Sequence, residues 1–260
     1  MNLKGIIENG KKYKNLLFEL VVRDIKIRYR RSVLGLLWTI VHPVLMMIVM
    51  TIVFSNLFRF EIENFPIYFF TANIMFTFFV ESTTNGLYSV LDGSSLIKKV
   101  YIPKYMFPLS KVMSGIVNMF FSFIAMLIIM VITKVSFKET MWLTPIAVFY
   151  IALFSTGISL ILSTLMVFFR DIAQLYSVIT LAWNYLTPIF YPVSLLSDRM
   201  PWILKINPMY HYILFFRNIV LYGNVPTIIE NITCFLIGFI TLLIGLMLFY
   251  KKQDRFILYI

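Results

Sequence analysis

Pro108-Leu-Ser-Lys-Val-Met-Ser-Gly-Ile-Val-Asn-Met-Phe-Phe-Ser-Phe-Ile-Ala-Met-Leu-Ile-Ile-Met-Val-Ile132 carries a single charged side chain, Lys111, near its start. About 20 apolar residues in a helix cross the hydrocarbon core of a bilayer, so this run is long enough to span one. Working outward, comparable apolar runs cover 33–58, 66–90, 143–168, 172–192 and 228–250. All six are expected to be helices, because hydrocarbon offers no water to satisfy backbone N–H and C=O groups. The whole chain agrees: 60% of its residues are hydrophobic, only 13% are charged, and the mean hydropathy is +0.86. Soluble domains average roughly 45–50% apolar and about 25% charged. The expected fold is therefore an all-α integral membrane protein of one domain, residues 1–260.

The formal charge of +11 does not point to nucleic acid, since nine of the 23 Lys and Arg residues fall in the first 33 positions and most others flank apolar runs. Basic flanks of this kind mark the cytoplasmic side of a membrane. With both termini inside, the cytoplasmic connections carry 17 Lys and Arg and the outer ones six. That asymmetry favours both termini in the cytoplasm. The lone Cys234 has no disulfide partner, and one cysteine with two distant histidines does not suit a zinc cluster. No secretory signal peptide is expected, because the first long apolar run begins near Val33 without a small-residue cleavage pattern.

Three segments between the runs have features of their own. Upstream of the first, Phe18, Val22, Ile25 and Tyr29 recur at helical spacing beside Glu19, Arg23, Lys26 and Arg30, which predicts an amphipathic helix over 14–31 at the membrane surface. It could serve as a topological anchor or as a dock for a partner. In 94–102, Ser94 or Ser95 can cap a short helix that Pro103 stops, leaving apolar residues exposed like a knob. An ordinary loop fits the same residues. The segment 193–227 is too long for a turn, rich in apolar residues, and holds Pro201, Pro208 and Pro226. It is expected to form short helices that re-enter or lie on the membrane, a plausible gate.

Polar residues inside a membrane are expensive, on the order of 3 kcal/mol for a charge at mid-bilayer, so their placement carries information. Asn73, Thr77, Glu81, Thr84 and Tyr88 fall on one stripe of the second span with Asn85 beside it; Ser177, Thr180, Asn184, Thr187 and Tyr191 do the same in the fifth, which Pro188 would kink. Two stripes suggest the lining of a hydrophilic path, although interhelical hydrogen bonding accounts for Ser and Thr equally well. Ser155, Ser159 and Ser163, and Gly238 with Gly245, follow the small-residue spacing of close helix packing. Aromatics reach 17% and cluster at Tyr68-Phe69-Phe70, Trp183-Asn184-Tyr185 and Phe190-Tyr191. Most suit interfacial belts; some could offer flat faces to sugar rings.

Catalytic signatures are missing. Gly5 to Lys12 approaches the phosphate-loop spacing, but Lys12 stands where Ser or Thr would bind Mg²⁺, and no strand can precede it in four residues. Asn231-Ile232-Thr233 fits a glycosylation sequon only by chance, as it opens a span.

Taken in order, several landmarks resemble the membrane subunit of type-2 ABC exporters, in the branch that exports O-antigen, capsule or teichoic acid. They are Ile27-Arg28-Tyr29 through Ser32, Leu34-Gly35, and Trp38 with Pro43; Lys98-Lys99 with Ile102-Pro103; Phe168-Phe169-Arg170-Asp171-Ile172; and Thr187-Pro188-Ile189-Phe190-Tyr191-Pro192 leading to Pro201 and Asn207-Pro208-Met209-Tyr210. The resemblance implies a homodimer in the cytoplasmic (inner) membrane of a bacterium, served by two copies of a separate nucleotide-binding ATPase subunit. That partner would bind ATP and Mg; no cofactor is expected in this chain. The cargo would be a glycan on a polyprenyl-diphosphate lipid. Arg23 and Arg30 of the amphipathic helix, and Leu96, Ile97, Lys98, Lys99, Val100 and Tyr101 of 94–102, would then contact the ATPase, and 193–222 would form the outer gate. The polar stripes, aromatic clusters and motif order together single out Glu81, Asn85, Tyr88, Trp183, Tyr185 and Tyr191 as lining of the conduit. Two rivals share parts of this pattern: an exporter of a small amphiphile or drug, and a membrane-embedded glycan transferase, for which no acid, base or metal constellation is found.

Overall fold

A computed structural model of the chain describes residues 13–30, 34–57 and 62–260; the phosphate-loop-like run 5–12 and the end of the 14–31 helix, Arg31, lie outside them. Every regular element among the described residues is helical. In chain order they are α1 (Lys14–Tyr29), α2 (Trp38–Thr51), α3 (Phe65–Asp92), α4 (Ser94–Ile97), α5 (Met106–Ile132), α6 (Thr144–Phe168), α7 (Ile172–Tyr185), α8 (Ser194–Ser197), α9 (Pro201–Ile206), α10 (Pro208–Arg217) and α11 (Ile228–Lys252). Short 3-10 or π turns extend α2, α6, α10 and α11.

Four helices, Phe65–Asp92, Met106–Ile132, Glu139–Phe168 and Ile228–Leu258, are long and apolar enough to cross a membrane, and Trp38–Phe54 is a shorter apolar helix. The helix expected over 172–192 differs. It stops at Tyr185 after 14 residues, about 21 Å. Pro188 does not kink it but follows its end: proline disfavours helical backbone at Thr187 just before it. The carbonyl freed at Leu186 is bonded by Asn207 Nδ2 at 3.2 Å, and Thr187 Oγ1 by the same nitrogen at 2.9 Å.

α3 is the central element. Of its most apolar window 72% is buried within the protein, against 22% for α11 at the periphery. Phe69, Phe70, Met75 and Phe79 fill the space between α3, α5 and α6. α11 crosses α6 very closely, because Gly157 and Gly245 face each other: a Cβ built on Gly245 would lie 2.5 Å from the Gly157 carbonyl oxygen. Ser159 similarly meets Gly86 of α3.

Two smaller elements depart from expectation in detail. α1 packs along α5 through Leu16, Leu17 and Leu20, which is 4% exposed, while Phe18 of the expected apolar stripe is 65% exposed. Neither serine caps α4; Gly93 holds the N-cap position and no side-chain cap is made.

Candidate functional site

The polar residues of α3 fall on the open side of a helix whose other faces are buried. Asn73, Glu81, Thr84 and Asn85 are half-buried, Thr77 and Tyr88 exposed, and the residues between them almost all core. Thr77, Glu81 and Asn85 of the stripe border two adjoining clefts between α1, α2, α3 and α5, whereas Asn73, Thr84 and Tyr88 line neither. One, of about 320 Å³, includes Trp38, His42, Thr77, Glu81 and Ser122; the other, of about 470 Å³, includes Arg23, Asp24, Asn85, Asp92 and Lys111. Arg28 and Asn118 line both.

Ion pairs organise this groove. Arg28 Nη1 of α1 donates to Glu81 Oε2 of α3 at 2.8 Å, and Asp24 of α1 faces Lys111 Nζ of α5 at 3.0 Å and Arg23 Nη2 at 3.1 Å. The surface helix is thus tied by charge to two long apolar helices. Both partners of the Arg28–Glu81 pair remain about a third exposed, where such a pair contributes only about 0–1 kcal/mol of stability.

The six expected lining residues are only partly brought together. Glu81, Asn85 and Tyr88 share the open face of α3. Trp183 is instead packed inward: its Nε1 donates to Asn207 Oδ1 at 2.6 Å, and its ring meets Phe79 and Phe154 edge-on at 5.2 and 6.4 Å. Tyr185 is exposed, and Tyr191, beyond the end of α7, donates to the Tyr185 carbonyl at 2.7 Å. The second polar stripe is not continuous. Thr180 and Ser177 bond carbonyls of their own helix, Thr187 is buried against Asn207, and the helix ends before either Thr187 or Tyr191.

Among the residues expected to meet an ATPase, Ile97 is buried at 8% exposure and Leu96 half-buried, whereas Lys98, Lys99, Val100 and Tyr101 stand out, Tyr101 at 89%. Arg23 is engaged with Asp24, and Arg30 is exposed. The projecting feature is therefore the turn 98–101 rather than the helix before it.

Two organising residues escape the sequence pattern. Asn207 caps α10, accepting from the N–H groups of Met209 and Tyr210, and also holds Trp183, Leu186 and Thr187. An Asn before a Pro at N1 was the available signal. Arg217 is 2% exposed, lies 3.5 Å from the Tyr68 ring centroid, and donates to the carbonyls of Tyr68 and Ile189. Desolvation lowers its pKa from the ordinary value, the neighbouring tyrosines opposing the shift. A guanidinium stays protonated nonetheless.

Bilayer-length apolar helices around a polar, charge-bearing groove define a polytopic membrane protein built to pass or hold hydrophilic material. The chain belongs to the ABC-2 type transporter family, which it matches over residues 15–221. It is similar to two O-antigen export system permease proteins RfbA of Klebsiella pneumoniae, at 32% and 30% identity over 246 residues, covering 92% of this chain and 94% of each relative. A third relative, the O-antigen export system permease protein RfbA of Myxococcus xanthus, is 32% identical over 203 residues, 76% of each chain. The chain is accordingly a membrane-embedded transport component.

Proposed function

We propose that the chain is the permease subunit of an ATP-driven exporter that moves a lipid-linked polysaccharide of O-antigen, capsular or teichoic-acid type across the cytoplasmic membrane. The observation that carries this reading is the open polar face of α3, Asn73 through Tyr88, on the otherwise most buried helix of the bundle. Polar groups at membrane depth are costly against lipid, so an open polar face of this kind marks a water-filled path or a protein neighbour. The similar O-antigen export system permeases support this class of cargo.

The rest of the assembly follows from surfaces left open. α7 exposes Leu175, Val178, Ile179 and Leu181, and α2 exposes Leu45, Ile48 and Val49; these faces suit a second copy of the chain, so that two grooves enclose one path. Two ATPase subunits would engage the 98–101 turn and α1 from the cytoplasm and would bind the ATP and Mg. Six segments would cross the membrane, α2 and α7 as the two short ones, with both termini cytoplasmic and 193–222 gating the outer end.

The test is co-purification with an ATPase subunit and hydrolysis assays in lipid with and without lipid-linked glycan. Stimulation by the glycan, lost by at least fivefold when Glu81, Asn85 and Tyr88 are together replaced by Ala, is the expected result. Purification without any ATPase, or export unchanged in the triple variant, would overturn the reading. Trp183 is left out of that set because its removal disrupts packing.

A further inference from the structure

A second cavity system lies at the end of the bundle opposite the Lys98–Tyr101 turn. Between α5 and the start of α6 runs a cleft of about 720 Å³ walled by Ile116, Phe120, Phe123, Leu127, Trp142 and Val148. It opens on a face of α5 separate from the polar groove, with only Met119 belonging to both. The cleft is strongly apolar except for Thr144 and Lys138 in its wall. Lys138 is also on the wall of a polar cavity of about 680 Å³, together with Lys134, Ser136, Tyr68 and Tyr222. The aliphatic stem of Lys138 rests against Gly223, where an added Cβ would come within 3.0 Å of its Cδ.

Length and charge agree on an occupant. Ile116 and Leu127 are eleven residues apart, about 16 Å along a helix, which matches the roughly 15 Å of hydrocarbon in one leaflet. Neither lysine forms an ion pair among the described residues, and the one carboxylate on the polar wall, Glu63, leaves the pair of ammonium groups in excess. A pair of ammonium groups at a membrane surface attracts an anionic lipid headgroup by charge. We propose that this is a binding site for one anionic phospholipid of the bilayer, with an acyl chain in the apolar cleft and its phosphate held by Lys138 and Lys134. The site does not depend on which cargo the groove carries.

The test is native mass spectrometry of the full chain in mild detergent, titrated with an equal mixture of phosphatidylglycerol and phosphatidylcholine of identical chains. Phosphatidylglycerol should be retained about tenfold more, two nearby lysines each favouring the anion several-fold. The double substitution Lys134→Gln and Lys138→Gln should bring retention to the phosphatidylcholine level, and Val148→Trp, which fills the cleft, should lower retention of both lipids. Equal retention by the unaltered chain, or a preference that survives the loss of both lysines, would overturn the proposal. Complete displacement of phosphatidylglycerol by an equimolar polyprenyl diphosphate would also overturn it, since the occupant would then be an export carrier rather than a bilayer lipid. Displacement by glycerol phosphate alone would show a phosphate pocket with no role for the chain, and would count against it too.

Discussion

Arg217 stands between three strands of chain that no local pattern joins: the start of α3 at Tyr68, the irregular segment at Ile189, and its own helix. Truncating it removes the donor to the buried Ile189 carbonyl, one of the donors to the Tyr68 carbonyl, which Thr71 Oγ1 also bonds at 2.9 Å, and a ring contact, losses that together predict destabilisation by about 2–4 kcal/mol for Arg217→Ala. Arg217→Lys should recover only part of this, because an ammonium has the donors for both carbonyls but cannot stack on the Tyr68 ring as a plane. Thermal unfolding of the purified protein checks both, and a lysine variant as stable as the original would show that charge alone suffices. Such a residue was visible in the sequence as a cation inside Phe215-Phe216-Arg217-Asn218-Ile219. Its partners were not, since Tyr68 lies 149 positions away. Glu81, by contrast, was legible as a membrane-embedded carboxylate, and only the identity of its partner, Arg28, required the fold.

At the level of elements, α6 and α11 are fixed by the facing pair Gly157 and Gly245. A methyl group at Gly245 meets backbone rather than a movable side chain, so Gly245→Ala should cost roughly 1–3 kcal/mol by overpacking, and Gly245→Leu more. A fall in the unfolding midpoint of the purified chain is the expected result; no change would mean that the two helices separate freely. The small-residue spacing announced the α11 side of this crossing at Gly245 but not Gly157, since the serines singled out in α6 include Ser159, which meets α3; the four long apolar runs announced their helices, because hydropathy over 25 residues reports burial or lipid directly. The fifth run was misjudged at its end. Its termination rests on Asn207 capturing Leu186 and Thr187, a contact between distant segments that leaves no periodic trace. For α1 the helix was legible but its buried face was not: two apolar stripes fit one turn repeat, and Lys111 of α5, by pairing with Asp24, selects the stripe containing Leu16, Leu17 and Leu20.

The whole molecule leaves α7 with an apolar face uncovered, Leu175, Val178, Ile179 and Leu181. If a second copy covers it, Val178→Asp should reduce the dimer fraction measured by light scattering in detergent by several-fold while leaving helix content unchanged. An unaltered dimer would assign that face to lipid and move the pairing surface to α2.

The Arg28–Glu81 contact joins helices 53 positions apart along the chain, one lying along the bundle and the other running through it. A 2.8 Å charge pair tolerates tilts and small slides but not the displacement of α1 by a full turn, about 5.4 Å. Too weak to hold α1 alone, the pair acts with the Asp24–Lys111 contact and the buried Leu20 as a detent: small displacements leave it closed, and larger ones release the carboxylate into the groove as an unneutralised charge. A push delivered to α1 would arrive in the groove twice, first as movement and then as a change of electric field.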